Sequence, residues 1–193
     1  MVKYIALDFE TGGLDPKRHG ACSLGVAIFE DGTPIDQREW LIQPPKNKNG
    51  RLICEYDAGA FEINGHSLDT LKSGKPEKEV LDELSHLVLE HRAATSMIVS
   101  HNTVFDAAFL SEMVFRCGSW SYGKFVAYPE PMLGAWACTR RMMQFLSLED
   151  SKLDTLVRHF GLSRTGEIHG ALEDAILCGK AYWLLREKAR GAA

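Results

Sequence analysis

The sequence lacks the features of disulfide-rich, membrane-spanning and low-complexity proteins, so it is consistent with an ordinary globular protein. Its five cysteines form no CxxC pair and are widely spaced, which argues against a disulfide framework or a zinc site and fits reduced thiols. No apolar run is long enough to cross a membrane, and no signal peptide, repeat or low-complexity tract is visible. We therefore expect a cytoplasmic protein without a membrane partner.

An excess of basic residues is also missing. The formal net charge is -4, whereas a nucleic-acid-binding protein usually has a basic surface. This objection is limited, because an acidic metal site adds negative charge that bound cations neutralise. The 193 residues, with 45% apolar and 25% charged side chains, predict a single domain over 1–193.

Two carboxylates stand at the end of the first strand-like run, Val2 to Phe9. Side chains alternate along a strand, so Asp8 and Glu10 point to one face, while Ile5 and Leu7 point to the other. Two like charges on one face of an apolar strand repel each other unless a cation lies between them. This spacing indicates a divalent metal site, although two solvated acids at a strand end would have the same spacing.

The order of the remaining elements predicts an α/β fold. Two more strands, Cys22 to Phe29 and Pro34 to Gln43, flank an Asp-Gly turn that favours a hairpin. Strands and helices then alternate, which indicates a mixed sheet flanked by helices. The later elements are expected at these positions: helix 76–91, strand Met97–Ser100, helix Thr103–Phe115, strand Met132–Ala137, and helices Thr139–Phe145, Lys152–Phe160 and Ala171–Lys188.

A third acid follows the strand at Met97–Ser100. Asp106 would lie in the first turn of the next helix, where a site at the carboxyl end of the sheet is expected. An acid there also complements the helix dipole, and Asn102 has the alternative role of a helix N-cap.

The fourth acid and a histidine open the last helix. Asp174 is surrounded at helical spacing by apolar or small residues, with no basic residue one turn away, so a metal ion is a natural partner. His169 precedes this helix, where neutral imidazole is favoured and could act as a general base. A structural role is the alternative for this histidine.

Together, Asp8, Glu10, Asp106 and Asp174 form an all-oxygen ligand set. Such sets favour Mg²⁺ or Mn²⁺ over zinc. Two of these ions, on the order of 4 Å apart, hold a phosphodiester for attack by water.

Three motifs resemble those of a known family. They are Asp8-Phe9-Glu10-Thr11, His101-Asn102-Thr103-Val104-Phe105-Asp106 and His169-Gly170-Ala171-Leu172-Glu173-Asp174. In this order they resemble the DEDDh, or DnaQ-like, 3′→5′ exonucleases of the ribonuclease-H-like fold, over about Tyr4 to Leu185. The resemblance implies a five-stranded mixed sheet, with three antiparallel strands followed by two strands parallel to the first.

The resemblance also implies specific roles. The four acids would hold two Mg²⁺ or Mn²⁺ ions, and His169 would deprotonate the attacking water. Nucleoside 5′-monophosphates would leave from the 3′ end of single-stranded nucleic acid. Our own expectation is DNA in preference to RNA, although no residue in the sequence identifies the sugar. The implied substrate contacts are Thr11, Gly12, Gly13, Leu14, Ile63, Asn64, Gly65, Asn102 and Phe105, with Leu14 as a wedge against the base.

The sequence departs from the family pattern at Gly12, Asn64 and Cys138, where relatives often have Thr, His and Asp. These changes leave the ligands and the base intact but affect nucleotide contacts. The alternatives are an RNA-trimming or oligoribonucleotide-degrading enzyme, a polymerase-associated proofreading subunit and an inactive nucleic-acid-binding module. Because few residues follow the last helix, we expect a stand-alone enzyme or one domain of a larger parent chain. The oligomeric state is not predicted.

Overall fold

A computed structural model describes residues 1–93, 96–118, 136–165 and 170–191 of the protein. Within these ranges a five-stranded sheet has the order β3-β2-β1-β4-β5. Its strands are β1 (Lys3–Thr11), β2 (Ala21–Glu30), β3 (Thr33–Leu41), β4 (Met97–Ser100) and β5 (Trp136–Cys138).

The mixed sheet predicted from the sequence is confirmed. Strand β1 pairs antiparallel with β2, which pairs antiparallel with β3, while β4 and β5 continue parallel to β1. Asp31 and Gly32 both have positive φ angles, 45° and 83°, as the predicted hairpin turn between β2 and β3 requires. Of the segment predicted as the fifth strand, 132–135 lies outside the described residues.

The helices lie on both faces of the sheet. They are α1 (Ala58–Asn64), α2 (Leu68–Leu71), α3 (Glu77–Glu90), α4 (Thr103–Cys117), α5 (Thr139–Met142), α6 (Leu153–His159) and α7 (Ala171–Gly191), and a 3₁₀ turn covers Met143–Leu146. The sequence predicts Pro76 as the first residue of α3, but in the structure Pro76 directly precedes this helix, which begins at Glu77. None of the helices in the described ranges is long and apolar enough to cross a membrane.

The alternation along β1 divides the core into two layers. Ile5, Leu7 and Phe9 pack with the apolar faces of α3 and α4. Tyr4 and Ala6 pack on the opposite face with Leu177 of α7. Because Asp8 and Glu10 follow Tyr4 and Ala6 on the same face, β1 directs both carboxylates toward the helix that carries Asp174.

Helix α7 approaches the sheet unusually closely at a glycine. A methyl group on Gly25 of β2 would lie 2.2 Å from the backbone of Ala171 and Leu172. Gly25 is also the register partner of Asp8. The glycine therefore allows the start of α7 to lie against the sheet beside the end of β1.

Candidate active site

Three of the four predicted ligands converge where β1 ends and α7 begins. Asp8, Glu10 and Asp174 each offer a carboxylate oxygen, and these oxygens lie within 4.8 Å of one another. Asp8 and Glu10 come from adjacent positions on one strand face, whereas Asp174 comes from the first turn of α7. Residues far apart in the sequence thus form one acidic cluster.

Asp106 lies beside this cluster. It is buried in the first turn of α4, and its Oδ1 accepts a hydrogen bond of 3.2 Å from the backbone N–H of Phe9. The Asp106 charge is close enough to contribute to raising the pKa of Asp8. The structure therefore places all four predicted carboxylates together at the carboxyl end of the sheet.

Burial and mutual repulsion disfavour the ionised form of these acids. Burial, followed by the charges of Asp106 and Glu10, raises the pKa of Asp8 well above its ordinary value. Burial is also the main cause that raises the pKa of Glu10 to about 7 and that of Asp106 to about 7. A divalent cation would remove both penalties, so this hard, oxygen-only donor set fits a divalent metal ion of the Mg²⁺ or Mn²⁺ type.

Asp174 has a basic partner from outside its own helix, although no basic residue lies one helical turn away from it. Arg164, from the segment that follows α6, pairs with Asp174 through Nη1, and its Nη2 lies 3.1 Å from Asp174 Oδ2. The same guanidinium donates from Nε to Asp154 Oδ1 at 2.6 Å. Arg164 lies ten residues before Asp174 and outside its helix, so helical spacing in the sequence does not identify the pair. Burial of Asp174 alone is thus no argument for a metal, but the convergence of the carboxylates is.

His169, the predicted general base, lies outside the described residues. Its role stays a prediction from the sequence. The described chain resumes at Gly170, immediately before α7.

The loop after Glu10 is held in place by its own hydrogen bonds. The buried Thr11 donates from Oγ1 to the carbonyl oxygen of Gly13 at 2.8 Å. Gly12 donates to the carbonyl of Gly20 at 2.8 Å, and its own carbonyl accepts from Asp57 at 2.7 Å. Leu14, in contrast, is 85% exposed. The predicted wedge residue is therefore the accessible side chain of a fixed loop.

The second predicted nucleotide loop is tied to the first. Asn64 is buried at the end of α1, donates from Nδ2 to the Thr11 carbonyl at 3.0 Å and accepts from the His66 N–H at 3.1 Å. Gly65 ends the helix with a φ of 71°. Ile63 is 65% exposed and offers an apolar surface. The Asn64 side-chain amide bonds to the backbone of both loops. These bonds support a role for Asn64 in holding the two loops in position.

Asn102 and Phe105 are both partly buried near the start of α4. Asn102 occupies the N-cap position of α4 but makes no capping hydrogen bond with its side chain. It lines a cavity at the carboxyl ends of β4 and β5. Phe105 is partly buried, with its ring centroid 4.8 Å from that of Phe109. The N-cap alternative for the Asn102 side chain is thus not realised.

His19 is a site-forming residue that sequence reasoning missed. Its side chain is buried beneath the first loop, with Nε2 3.3 Å from Asp57 Oδ2, while Nδ1 accepts a 3.0 Å hydrogen bond from the Asp15 N–H. A methyl group on Gly13 would lie 2.5 Å from the His19 ring. A single histidine in a glycine-containing loop carries no periodic signal, so only the contacts identify its role.

Comparisons with known proteins agree with this geometry. A sequence-family model for the RNase T family, which is described as exonuclease, matches residues 5–182. The chain is 26% identical over 179 residues to the PolC-type DNA polymerase III of Thermotoga petrophila, covering 93% of this chain and 11% of that protein. It is 29% identical over 123 residues to ribonuclease T of Blochmanniella pennsylvanica, covering 58% of this chain and 54% of that one.

The fold is also that of solved exonucleases. E. coli exonuclease I in complex with a dT13 oligonucleotide has a TM-score of 0.76 at 14% identity, covering all of this chain and 42% of that chain. A moderately thermophilic exonuclease I from Methylocaldum szegediense has a TM-score of 0.74 at 15% identity, covering 98% and 41% of the two chains. This chain thus spans about a tenth of the PolC-type relative and two fifths of the exonuclease I chains.

Proposed function

Since the chain belongs to the RNase T exonuclease family, whose model matches residues 5–182, we propose that residues 1–193 form a single 3′→5′ exonuclease domain. Its substrate is the 3′ end of single-stranded nucleic acid. The observation that carries this proposal is the convergence of Asp8, Glu10 and Asp174 within 4.8 Å, with Asp106 beside them. Family membership alone would support the fold, whereas the acidic cluster supports the chemistry.

The proposed cofactors are two Mg²⁺ or Mn²⁺ ions held by Asp8, Glu10, Asp106 and Asp174. Such ions, when bound, neutralise the charge that builds up on the phosphodiester during hydrolysis. The carboxylates provide the complementary negative charge from three elements, with Asp8 and Glu10 on β1, Asp106 on α4 and Asp174 on α7.

His169 is the proposed general base. It would take a proton from the attacking water, whose oxygen forms a bond to the phosphorus while the bond to the 3′ oxygen of the preceding nucleotide breaks. The leaving oxygen takes up a proton and becomes the new 3′ hydroxyl. The released product is a nucleoside 5′-monophosphate.

The terminal nucleotide would lie over the loop that follows Glu10. Leu14 and Ile63 offer exposed apolar surface to its base, and small residues at Gly12 and Gly13 allow a close backbone approach. The remaining proposed contacts are Thr11, Asn64, Gly65, Asn102 and Phe105. Contacts of this kind hold a strand end without reading its sequence.

DNA is the substrate that we favour, and RNA is the alternative within the same chemistry. A proofreading role is the second candidate function, because the chain is 26% identical to a PolC-type polymerase over 93% of its own length. In that case the partner is a polymerase or the rest of a larger parent chain. We propose a cytoplasmic location, which the five unpaired cysteines support.

Digestion of 5′-labelled strands tests the reaction. Single-stranded DNA, single-stranded RNA and recessed duplexes are compared with Mg²⁺, with Mn²⁺ and with EDTA. We expect a metal-dependent ladder that shortens from the 3′ end, and the fastest substrate decides between DNA and RNA. No degradation with either metal would favour the inactive binding module.

Asp8→Asn should abolish this ladder while the protein stays folded. Loss of one ligand should lower the rate at least about a hundredfold, because the charge on the reacting phosphate is then poorly stabilised. Asp8 is preferred over Asp174 because the latter also pairs with Arg164. Asp69→Asn on α2 is the matched control, since Asp69 is exposed and, among the described residues, its ion pair is with the exposed Lys72. Wild-type activity in Asp8→Asn would contradict the metal assignment.

His169→Ala should lower kcat about a hundredfold or more, because the general base is lost. The rate profile should also lose the limb on which activity rises with pH as the imidazole is deprotonated. His86→Ala is the control, since His86 is exposed on α3. If the profile of His169→Ala keeps the shape of the wild type, another group is the base.

A further inference from the structure

A basic cavity lies next to the acidic cluster, at the carboxyl ends of β4 and β5. It has a volume of about 300 Å³. Its lining residues are Asn102, Val104, Cys138, Arg140, Arg141, Gln144 and Ser151. Polar donors and two guanidinium groups dominate this lining, so the cavity suits an anionic ligand.

The two arginines are available for a ligand. Both are exposed, and within the described parts of the chain neither makes an ion pair. Arg140 donates from Nε to Ser151 Oγ at 3.0 Å, which orients its guanidinium without neutralising it. Arg116, in contrast, forms a buried pair with Glu77. A planar, uncompensated guanidinium matches the geometry of a phosphate group.

The cavity meets the proposed active site at the junction between β4 and α4, which contains His101 and Asn102. Asn102 lines the cavity and lies four residues before Asp106, and its side chain is not used as a helix cap. The N–H of Arg140 donates to the carbonyl of His101 at 3.1 Å, which fixes the start of α5 to the same junction. Strands β1, β4 and β5 are adjacent and parallel, so their carboxyl ends lie side by side. The acidic cluster and the cavity both lie at these carboxyl ends.

We propose that this cavity binds the backbone phosphates of the strand on the 5′ side of the terminal nucleotide. The inference rests on the proposed function, which fixes the 3′ end at the acidic cluster. The strand passes Asn102 and continues over Arg140 and Arg141. Phe145, which follows the lining residue Gln144 in the same 3₁₀ turn, is 89% exposed and offers a ring on which a base stacks.

This site explains how a chain of net negative charge holds a polyanion. Arg140 and Arg141 supply positive charge at the point where the strand leaves the acidic cluster. Phosphate contacts of this type give affinity without base specificity and make binding dependent on salt.

The test compares Arg140→Gln/Arg141→Gln with the wild type in binding a 5′-fluorescent DNA dodecamer, measured by anisotropy in EDTA so that no cleavage occurs. We expect the Kd to rise about tenfold and the slope of log Kobs against log salt to become shallower by about 0.7 for each lost phosphate contact. Arg38→Gln is the control, because β3 lies at the opposite edge of the sheet from β5. It should bind as the wild type does.

A second measurement separates this site from the chemistry. Hydrolysis of the p-nitrophenyl ester of thymidine 5′-monophosphate, which has no 5′ strand, should proceed at the wild-type rate in the double variant with Mn²⁺. An unchanged dodecamer Kd, an equal loss in Arg38→Gln, or no measurable binding by the wild type would each overturn the proposed phosphate site. Wild-type binding that depends on both arginines, without cleavage of either substrate, would overturn the exonuclease function and support the phosphate site.

Discussion

Individual side chains at the site serve two opposing requirements. The carboxylates must be close enough to share a divalent cation, yet their charges repel one another at that separation. Arg164 offsets part of this repulsion, since its charge also lowers the pKa of both Asp8 and Glu10. The arginine thus lies where a cation is favourable, and it competes electrostatically with any metal ion that binds there.

Arg164→Gln should destabilise the protein in EDTA by about 3 kcal/mol, because a buried carboxylate loses its charged partner. Added Mn²⁺ should stabilise this variant more than it stabilises the wild type, since the cation replaces the lost charge. Urea unfolding with EDTA and with Mn²⁺ measures both effects.

Arg158→Gln is the matched control for this experiment. Arg158 pairs with Glu149 at 3.0 Å, but both side chains are 69% exposed, so its loss should cost less than about 1 kcal/mol. Equal destabilisation of the two variants would contradict the role assigned to Arg164.

Among the elements, α7 must lie close to the sheet for the four carboxylates to come together. Its first turn carries Asp174, and its position depends on close contact with β2 at Gly25. Further along the helix, Tyr4 of β1 donates from its hydroxyl to the carbonyl of Gly179 at 3.0 Å. Two glycines on different elements thus let this helix lie close to the sheet at two points.

Gly25→Ala should therefore lower activity at least about a hundredfold and destabilise the fold by about 1–3 kcal/mol. Its methyl group would meet the Ala171 backbone at 2.2 Å, and the displaced α7 would carry Asp174 away from Asp8. Activity and urea unfolding are measured together with metal affinity by calorimetry.

Gly59→Ala in α1 is the control, because in the described part of the chain a methyl group there would meet no atom within 4 Å beyond its own helix backbone and chain neighbours. It should keep full activity and be as stable as the wild type or slightly more stable, since alanine favours helix. An active Gly25→Ala protein would show that the close approach is not needed to place Asp174.

At the scale of the whole molecule, the raised pKa values of the site's acids link stability to pH. The pKa values of Glu10 and Asp106 are raised to about 7, and that of Asp8 is raised as well. In the unfolded chain these groups lose their protons near pH 4. Between about pH 4 and pH 7 the folded state therefore holds more protons than the unfolded state.

These groups should make the protein less stable in EDTA as the pH rises from about 4 to about 7, because stability falls wherever the folded state binds more protons. Mg²⁺ should reverse the loss at the upper end, where it replaces the protons. Thermal unfolding across this range, with EDTA and with Mg²⁺, measures the effect. Asp8→Asn should flatten the dependence in EDTA, and the same slope in that variant would refute this origin.

Sequence alone was sufficient for the features that depend on local order. Alternation along β1 placed Asp8 and Glu10 on one face and the apolar Ile5 and Leu7 on the other, because side-chain direction in a strand is set by position. The order and spacing of the three motifs identified the family and the mixed sheet, both of which are confirmed. The role of His169 stays a prediction.

The tertiary structure decided what depends on contacts between distant loops. No periodic pattern relates Arg164 to Asp174, or Asn64 to the Thr11 carbonyl, because the path of each connecting segment sets these contacts. The cavity beside Asn102 likewise requires α5 to be fixed to the junction after β4. Local periodicity thus determined which acids face the site, whereas the packing of loops and helices against the sheet determined their partners and the surface available to a strand.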